Sequence, residues 1–365
     1  MKKLLLLVAA VVAVFALSAC GNAADTYEIA MITDSGTIDD ESFNQGTWEG
    51  IEEFCDANEL TYKYYKPLEV SDDAYLNAIE LAIDGGAKVV VTPGFLFESS
   101  VYEAQTLYPE VKFILIDGTP HDAAWSTWNT EDNTLPILFN EHESGFLAGY
   151  AAVMDGYRSL GFTGGMAVPA VVKFGIGYVA GAYYAADELN VAITFGDDTY
   201  HYFGDFGPSD DFKNLASSWY VGGTEIIFSA AGGAGASVMA AAADNNAKMI
   251  GVDIDQSGQS DVVVTSAMKE LGTAVKQALQ TYVDGTFTGG TTVTKGVEND
   301  GVALPMATST FTSFTQADYD AIYAKLVAGT VVVPADTAGL TTFLDALTMD
   351  ASGAPTSDVI SPPSE

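Results

Sequence analysis

The sequence predicts an α/β protein with two lobes, each a parallel sheet flanked by helices, and a ligand cleft between the lobes. Strand-like and helix-like segments alternate along the chain, a pattern typical of parallel sheets covered by helices on both faces. The alternation runs through two successive series, which indicates two lobes. The chain is also long and apolar enough to bury two cores, with 365 residues of which 48% are hydrophobic.

The N-terminus has the features of a secretion signal that ends at a cysteine. Two lysines precede an apolar run over residues 4–17, which is short for a membrane span. The Leu-Ser-Ala before Cys20 resembles the lipobox of exported bacterial lipoproteins. We therefore expect residues 1–19 to be a removable signal peptide, Cys20 to be lipidated as an anchor in the cell membrane, and residues 20–25 to tether an extracytoplasmic domain. The alternative is an ordinary signal peptide followed by a chance cysteine.

The first series of elements begins directly after this tether. Its first helix would bury Ile51, Phe54 and Cys55, and its second can be capped by Ser71, whose hydroxyl can accept a backbone N–H. Cys55 is expected to be a buried structural thiol rather than a reactive one. The predicted strands are 27–33, 60–66, 87–92 and 111–117, and the predicted helices are 41–57, 72–84 and 99–107.

The second series starts near residue 141. Its longest helix has Pro169 at the first position, where proline is favoured because the N–H that it lacks would have no partner in the helix. The predicted strands are 160–168, 225–229, 248–253 and 262–265, and the predicted helices are 141–154, 169–189, 236–246 and 268–283.

The two series suggest how the chain is divided between the lobes. Residues 26–138 and a return at 257–285 are assigned to the N-terminal lobe. Residues 139–256 and 290–349 are assigned to the C-terminal lobe. The end of the chain, 350–365, is rich in proline, serine and aspartate and is predicted to be disordered.

Composition excludes several classes of function. The formal net charge is −35, and Arg158 is the single arginine, so binding to a nucleic acid is excluded because a phosphate backbone requires many basic contacts. The three histidines, His121, His142 and His201, are scattered and lack the spacing of zinc ligands. No metal and no cofactor are expected.

Polar residues and glycines follow the predicted strands at several points in both series. In open parallel sheets, ligands bind beyond the carboxyl ends of the strands. Any one such residue could simply form a turn or cap a helix. Together they favour a cleft, and carboxylates without matching arginines favour a neutral ligand whose hydroxyl and N–H groups donate hydrogen bonds. The positions are Asp34, Asp117, Gly232–Gly233 and Asp253.

Seven short stretches, in the same order along the chain, are similar to one known family. The segment 33–44, Thr-Asp-Ser-Gly-Thr-Ile-Asp-Asp-Glu-Ser-Phe-Asn, resembles the opening motif of the basic membrane protein family. These are nucleoside-binding lipoproteins of the purine nucleoside receptor type, which supply ABC transporters. The resemblance implies a periplasmic-binding-protein-like fold of type I that closes at a hinge on its ligand. The other stretches are 141–149, 161–166, 203–206, 231–235, 251–256 and 265–269.

The resemblance also implies a set of ligand-binding residues and two partners. A purine nucleoside or a related small solute would be the ligand, and the permease of an ABC transporter would receive it. Two aromatic rings would hold the base, two polar side chains would hydrogen-bond it, three charged side chains would surround the ribose, and one glycine would let a backbone N–H approach the ligand closely. These are, respectively, Phe43 and Phe206; Asp34 and Asn44; Asp117, Asp253 and Lys269; and Gly233.

Other readings stay open at this point. A sensory binding protein of the same fold would deliver its liganded form to a receptor rather than to a permease. The aspartates at 34–40 are faintly similar to the calcium cluster of nucleoside hydrolases, which would make the chain an enzyme. Residues 253–258 partly fit a calcium loop, but Val264 stands where such a loop has glutamate.

Overall fold

The computed structural model describes residues 26–362 and contains two six-stranded sheets. The predicted two-lobed α/β fold is therefore confirmed. The predictions for the signal peptide and for Cys20 lie outside the described residues. Within residues 26–362, no helix is long and apolar enough to cross a membrane.

The first sheet is parallel throughout. Its central strands are short apolar runs buried on both faces, as expected for a sheet covered by helices on each side. Its strands, in their order across the sheet, are β11 (Val293–Lys295), β5 (Thr134–Phe139), β4 (Lys112–Ile116), β3 (Val89–Pro93), β1 (Ile29–Ile32) and β2 (Tyr62–Tyr65).

Four helices cover this sheet. The predicted cap of the second is confirmed, because the Ser71 hydroxyl accepts the backbone N–H of Ala74. Cys55, in the first helix, is fully buried. Its burial and the nearby Asp56 carboxylate together raise the pKa of its thiol to about 12. The helices are α1 (Phe43–Asn58), α2 (Asp72–Asp84), α3 (Glu98–Leu107) and α8 (Leu271–Val283), the last packing against α1.

The second sheet is parallel except for its short edge strand β12. Two helices rich in small residues, α4 and α5, pack closely together against it. The strands, in their order across the sheet, are β12 (Val302–Ala303), β10 (Val263–Lys269), β9 (Lys248–Asp253), β8 (Ile226–Ala230), β6 (Leu160–Gly164) and β7 (Tyr200–Tyr202). The helices are α4 (Glu141–Asp155), α5 (Pro169–Leu189), α6 (Asp210–Val221), α7 (Gly235–Asp244), α9 (Gln316–Val327), α10 (Thr337–Asp345) and α11 (Ser357–Ile360).

The lobe boundaries differ from those expected from the sequence. Strand β10, within the predicted return at 257–285, pairs with β9 in the second sheet, and only α8 joins the first lobe. Strand β11, within 290–349, pairs with β5 in the first sheet. The chain therefore crosses between lobes three times, after β5, after β10 and after β11.

The crossing segments are hydrogen-bonded to one another. The Asn140 N–H donates to the carbonyl of Lys295, with N and O 2.8 Å apart, and the Glu270 N–H donates to the carbonyl of Gly301 at 3.0 Å. The edge strands β11 and β12, with their neighbours β5 and β10, lie on this side of the molecule. All three connections between the lobes lie here, and we call it the hinge side.

The C-terminal segment packs on the second lobe over its described part, up to residue 362, in contrast to the predicted disorder. Ile360 is fully buried, and the Tyr202 hydroxyl donates to its carbonyl at 2.6 Å. The backbone N–H of Thr356 donates to Asp197 Oδ1 at 2.7 Å. Further back along the chain, one oxygen of the buried Asp155 accepts the backbone N–H groups of residues 312–314 and fixes the segment between β12 and α9. Composition alone does not reveal these hydrogen bonds to aspartate.

Candidate functional site

A cavity of about 450 Å³ lies between the two lobes. It opens at the carboxyl ends of the strands, where the backbone leaves each sheet. Every ligand-binding residue expected from the sequence lines this cavity, and the two lobes both contribute to the set. The residues are Asp34, Phe43, Asn44 and Asp117 from the first lobe, and Phe206, Gly233, Asp253 and Lys269 from the second.

Two of the carboxylates are placed by an unusual backbone conformation. Asp117 follows β4 and Asp253 ends β9, and their φ angles are +56° and +65°. A left-handed conformation is uncommon for residues other than glycine and costs on the order of 1–3 kcal/mol at such sites. Two strand ends that share this conformation are typical of a functional site, because the turn aims each carboxylate into the cleft.

These two carboxylates share one ammonium group. Lys269 Nζ lies 2.5 Å from Asp117 Oδ2 and 3.2 Å from Asp253 Oδ1, and the three side chains are only 3, 7 and 8% exposed. Burial alone would lower the pKa of Lys269, but the adjacent carboxylates outweigh burial and hold its pKa above the usual value. The Ser42 hydroxyl completes the cluster by donating to Asp253 Oδ2 at 2.7 Å. We call Asp117, Asp253 and Lys269 the charge cluster.

One oxygen of the charge cluster has no partner among the described residues. Asp117 Oδ1 is buried and accepts no hydrogen bond. Buried polar atoms are nearly always hydrogen-bonded, so an acceptor left open in a cleft indicates a position for a donor from a ligand. A neutral hydroxyl group fits this position, because a carboxylate accepts from it strongly.

Behind the charge cluster lies another buried carboxylate, Glu141, at the first position of α4. It is 2% exposed, and its Oε2 atom lies 3.4 Å from Lys173 Nζ. Burial and the nearby Asp117 charge raise the pKa of Glu141 to about 7. The hinge side of the cleft therefore holds alternating negative and positive groups.

A second polar group occupies the end of the cleft near β1. Asp34 Oδ1 accepts the Gly36 N–H at 2.8 Å and an Asn44 amide hydrogen at 2.9 Å. The Asn44 amide nitrogen also donates to Asp40 Oδ2 at 2.8 Å. Both amide hydrogens of Asn44 are thus occupied, so in this structure Asn44 positions Asp34 and does not present a donor to the cavity. Burial raises the pKa of Asp34 to about 6.

Phenylalanine rings line the cavity from both lobes. Phe43 is the first residue of α1, and the Lys269 ammonium lies 4.4 Å from its ring centroid. Phe206, in the loop after β7, lies against Gly165, where a Cβ atom would overlap the ring. A Cβ on Gly233 would lie 3.3 Å from the Phe206 carbonyl oxygen, so glycine keeps this wall open.

Sequence reasoning missed two parts of the site. Gly165 supports the Phe206 ring, and the signal that could have revealed it is the glycine pair at the end of β6. The N-terminal end of α5 and the residue before it add an apolar wall to the cleft. Its members are Val168, Pro169, Ala170, Val171 and Phe174.

The partial calcium loop has a different role in the fold. Asp255 accepts the Ser257 N–H at 3.0 Å and the Thr308 hydroxyl at 2.6 Å, so it ties the loop to the segment after β12. Among residues 26–362, histidine, cysteine, aspartate and glutamate side chains form no group of three that could hold a metal ion.

Comparison with known proteins places this architecture in a family. The family model described as ABC transporter substrate-binding protein PnrA-like matches residues 27–337. The chain belongs to this family. The resemblance inferred from the seven stretches of sequence is thereby confirmed.

Individual relatives agree with this assignment. The chain is 31% identical over 304 residues to the ABC transporter nucleoside-binding protein BmpA of Lactococcus lactis subsp. cremoris, covering 77% of this chain and 82% of that protein. It is 29% identical over 309 residues to basic membrane protein A2 of Borrelia garinii subsp. bavariensis, covering 82% and 86%. An ABC transporter solute-binding protein from Aeropyrum pernix K1 has the same fold, with a TM-score of 0.72 at 20% identity over 88% of this chain and 99% of that one.

Proposed function

We propose that this protein binds purine nucleosides in the cleft between its lobes and delivers them to the permease of an ABC transporter. The observation that carries the proposal is the cavity itself, which is lined by aromatic rings and hydrogen-bonding carboxylates from both lobes. Closure of the two lobes at the hinge would complete the site around a ligand.

The chemistry of the lining fits a nucleoside in three respects. Phe43 and Phe206 offer faces on which a base can stack, and base–aromatic stacking contributes about 1–3 kcal/mol per base. The open Asp117 Oδ1 suits a ribose hydroxyl, and the adjacent Lys269 can donate to a ribose oxygen. The Asp34 carboxylate lies where it can accept an N–H from the base.

The lining also argues for a neutral ligand. Seven of the residues that line the cavity are aspartate or glutamate, and the single lysine among them already contacts two carboxylates. A nucleotide phosphate would be repelled by this arrangement. The proposed action is binding and release, with no bond in the ligand made or broken.

Anchoring belongs to the same proposal. A lipidated Cys20 and a tether of about five residues would hold the binding domain next to the extracytoplasmic face of the membrane, where a permease lies. Mass spectrometry of the protein from membranes would test this, with a diacylated or triacylated N-terminal cysteine as the expected result. An unmodified Cys20 in the exported protein would contradict the anchor and leave the ligand proposal untouched.

Calorimetry with the purified protein tests the ligand. Nucleosides are expected to bind more tightly than about 10 μM, which corresponds to about −6.8 kcal/mol, whereas free bases and free ribose lose part of the contacts and bind more weakly. The substitution Asp117→Asn should weaken nucleoside binding, and Asp73→Asn, on an exposed position of α2, serves as a control with the same change of charge. Absence of nucleoside binding by the wild-type protein would refute the proposal.

A further inference from the structure

We propose that Asp34 makes the cleft selective for nucleosides of 6-oxopurines, such as guanosine and inosine, over adenosine. This inference rests on the proposed function and adds the preference for the base. It is carried by the hydrogen-bonding state of Asp34 and by the character of the wall around it.

The two oxygens of Asp34 differ in what they contact. Oδ1 is occupied by the N–H of Gly36 and by the amide of Asn44. Oδ2 accepts no hydrogen bond from the described residues and belongs to a side chain that lines the cavity. Gly94, at φ +117°, keeps this oxygen accessible, because a Cβ atom there would lie 2.9 Å from Oδ2. The structure therefore offers the ligand one fixed acceptor at this end of the cleft.

The neighbouring side chains offer more acceptors than donors beside that oxygen. Asn44 has used both of its amide hydrogens, and Asp40 Oδ2 is held by the backbone and side-chain nitrogens of Asn44. The nearby loop residues that line the cavity include two further carboxylates, Asp39 and Glu41, and the hydroxyls of Ser35 and Thr37, which can donate or accept. The wall near Asp34 is thus rich in acceptors.

A 6-oxopurine presents the complementary pattern. Its N1 carries a hydrogen, and guanine adds a 2-amino group next to it, so one or two adjacent donors face the acceptors. Adenine has a bare N1 with a lone pair and a donor only at its 6-amino group. An adenine ring that donates its amino group to Asp34 would turn the N1 lone pair toward the same acidic wall, which is repulsive.

Protonation of Asp34 would change this preference. Burial, aided by the Asp40 charge, raises the pKa of Asp34 to about 6, so the carboxyl gains its proton as pH falls below that value. The protonated Oδ2 becomes a donor and can then donate to adenine N1. The other charged or titratable groups that face Asp34 or share its cavity are Tyr75 from α2, then Asp39, Asp40, Glu41, Asp117, Asp205, Asp253 and Lys269.

The test is calorimetry of the purified protein with guanosine, inosine and adenosine at about pH 8 and about pH 5. At the higher pH, guanosine and inosine should bind roughly 10- to 100-fold more tightly than adenosine, the range expected when one hydrogen bond to a charged group is replaced by an unpaired acceptor. At the lower pH, this ratio should fall to within roughly threefold, because the donor form of Asp34 becomes populated.

The substitution Asp34→Asn tests the role of Oδ2 independently of pH. The amide oxygen of asparagine can keep the Oδ1 contacts, and its NH₂ group then places a donor where Oδ2 lies. This variant at about pH 8 should show the weak base preference of the wild-type protein at about pH 5, and its preference should no longer depend on pH. Asp73→Asn is the matched control and should retain the wild-type ratios at both pH values.

The outcomes separate this inference from the proposed function. If no nucleoside binds the wild-type protein, the proposed function fails. If nucleosides bind but adenosine equals or exceeds guanosine at about pH 8, or if the ratio is the same at both pH values, base selection by Asp34 is wrong while nucleoside binding stands.

Discussion

Replacement of Lys269 by methionine would reveal how strongly the charge cluster depends on its ammonium group. Lys269 Nζ lies 2.5 Å from Asp117 Oδ2 and 3.2 Å from Asp253 Oδ1, and the three side chains are at most 8% exposed. Loss of one partner of a buried ion pair costs about 3–5 kcal/mol, because the remaining charge is buried without compensation. We expect Lys269→Met to lower the free energy of unfolding by that amount near pH 7.5.

The decrease in the free energy of unfolding caused by Lys269→Met should depend on pH. Without the ammonium group, the two buried carboxylates repel each other and one of them takes up a proton at a higher pH than in the wild-type protein. The destabilisation is therefore largest at neutral pH and above, and it diminishes as pH falls and the carboxylate is neutralised. Urea denaturation followed by circular dichroism at about pH 7.5 and about pH 5 would measure both effects.

A matched surface pair provides the control. Lys276 Nζ lies 2.6 Å from Glu53 Oε2, but the two side chains are 38 and 67% exposed. Exposed pairs contribute about 0–1 kcal/mol, so Lys276→Met should change stability little. If Lys269→Met lowers the free energy of unfolding no more than Lys276→Met does, the ammonium group of the charge cluster does not stabilise the fold.

Phe206→Ala should weaken nucleoside binding about 10-fold or more in calorimetry, because the base loses a stacking partner. Val221 is exposed, so Val221→Ala is a control that should bind as tightly as the wild-type protein. If Phe206→Ala also binds as tightly as the wild-type protein, Phe206 does not stack on the base. Asp155→Ala should lower the free energy of unfolding by about 2–4 kcal/mol in urea titration, because three backbone N–H groups lose their acceptor. A decrease below about 0.5 kcal/mol would show that other contacts hold the segment after β12. Cys55 should react with a thiol reagent only after denaturation, since it is buried and its pKa is raised to about 12; rapid reaction in the native protein would contradict its burial.

The sequence predicted the position of a site residue correctly where that residue lies at the end of a predicted strand. Asp253 ends a buried strand, Asp117 directly follows one and Asp34 lies two residues beyond one, so their place at the cleft edge follows from the rule for parallel sheets. Their convergence on a single cavity is a consequence of the two sheets facing each other. The family resemblance added the aromatic pair, which no spacing rule would have selected.

Other features depend on contacts that no local pattern encodes. Asn44 was expected to face the base, but the loop through Asp40 folds back and occupies its amide group. Strand β10 was assigned to the wrong lobe because an apolar run is compatible with either sheet. The segment beyond residue 350 has a composition typical of disorder, yet Ile360 finds a buried position and Asp197 accepts the N–H of Thr356.

The three hydrogen-bonded crossings have a mechanical consequence. Connections that lie together on one side of a molecule leave its two halves little freedom to slide or twist, so the remaining motion is close to a single rotation. The far edges, formed by β2 in one lobe and β7 in the other, then travel furthest for a given angle. A ligand that closes such a molecule has to restrict only this one rotation. Closure therefore costs little conformational entropy, and more of the free energy of the ligand's contacts contributes to its affinity.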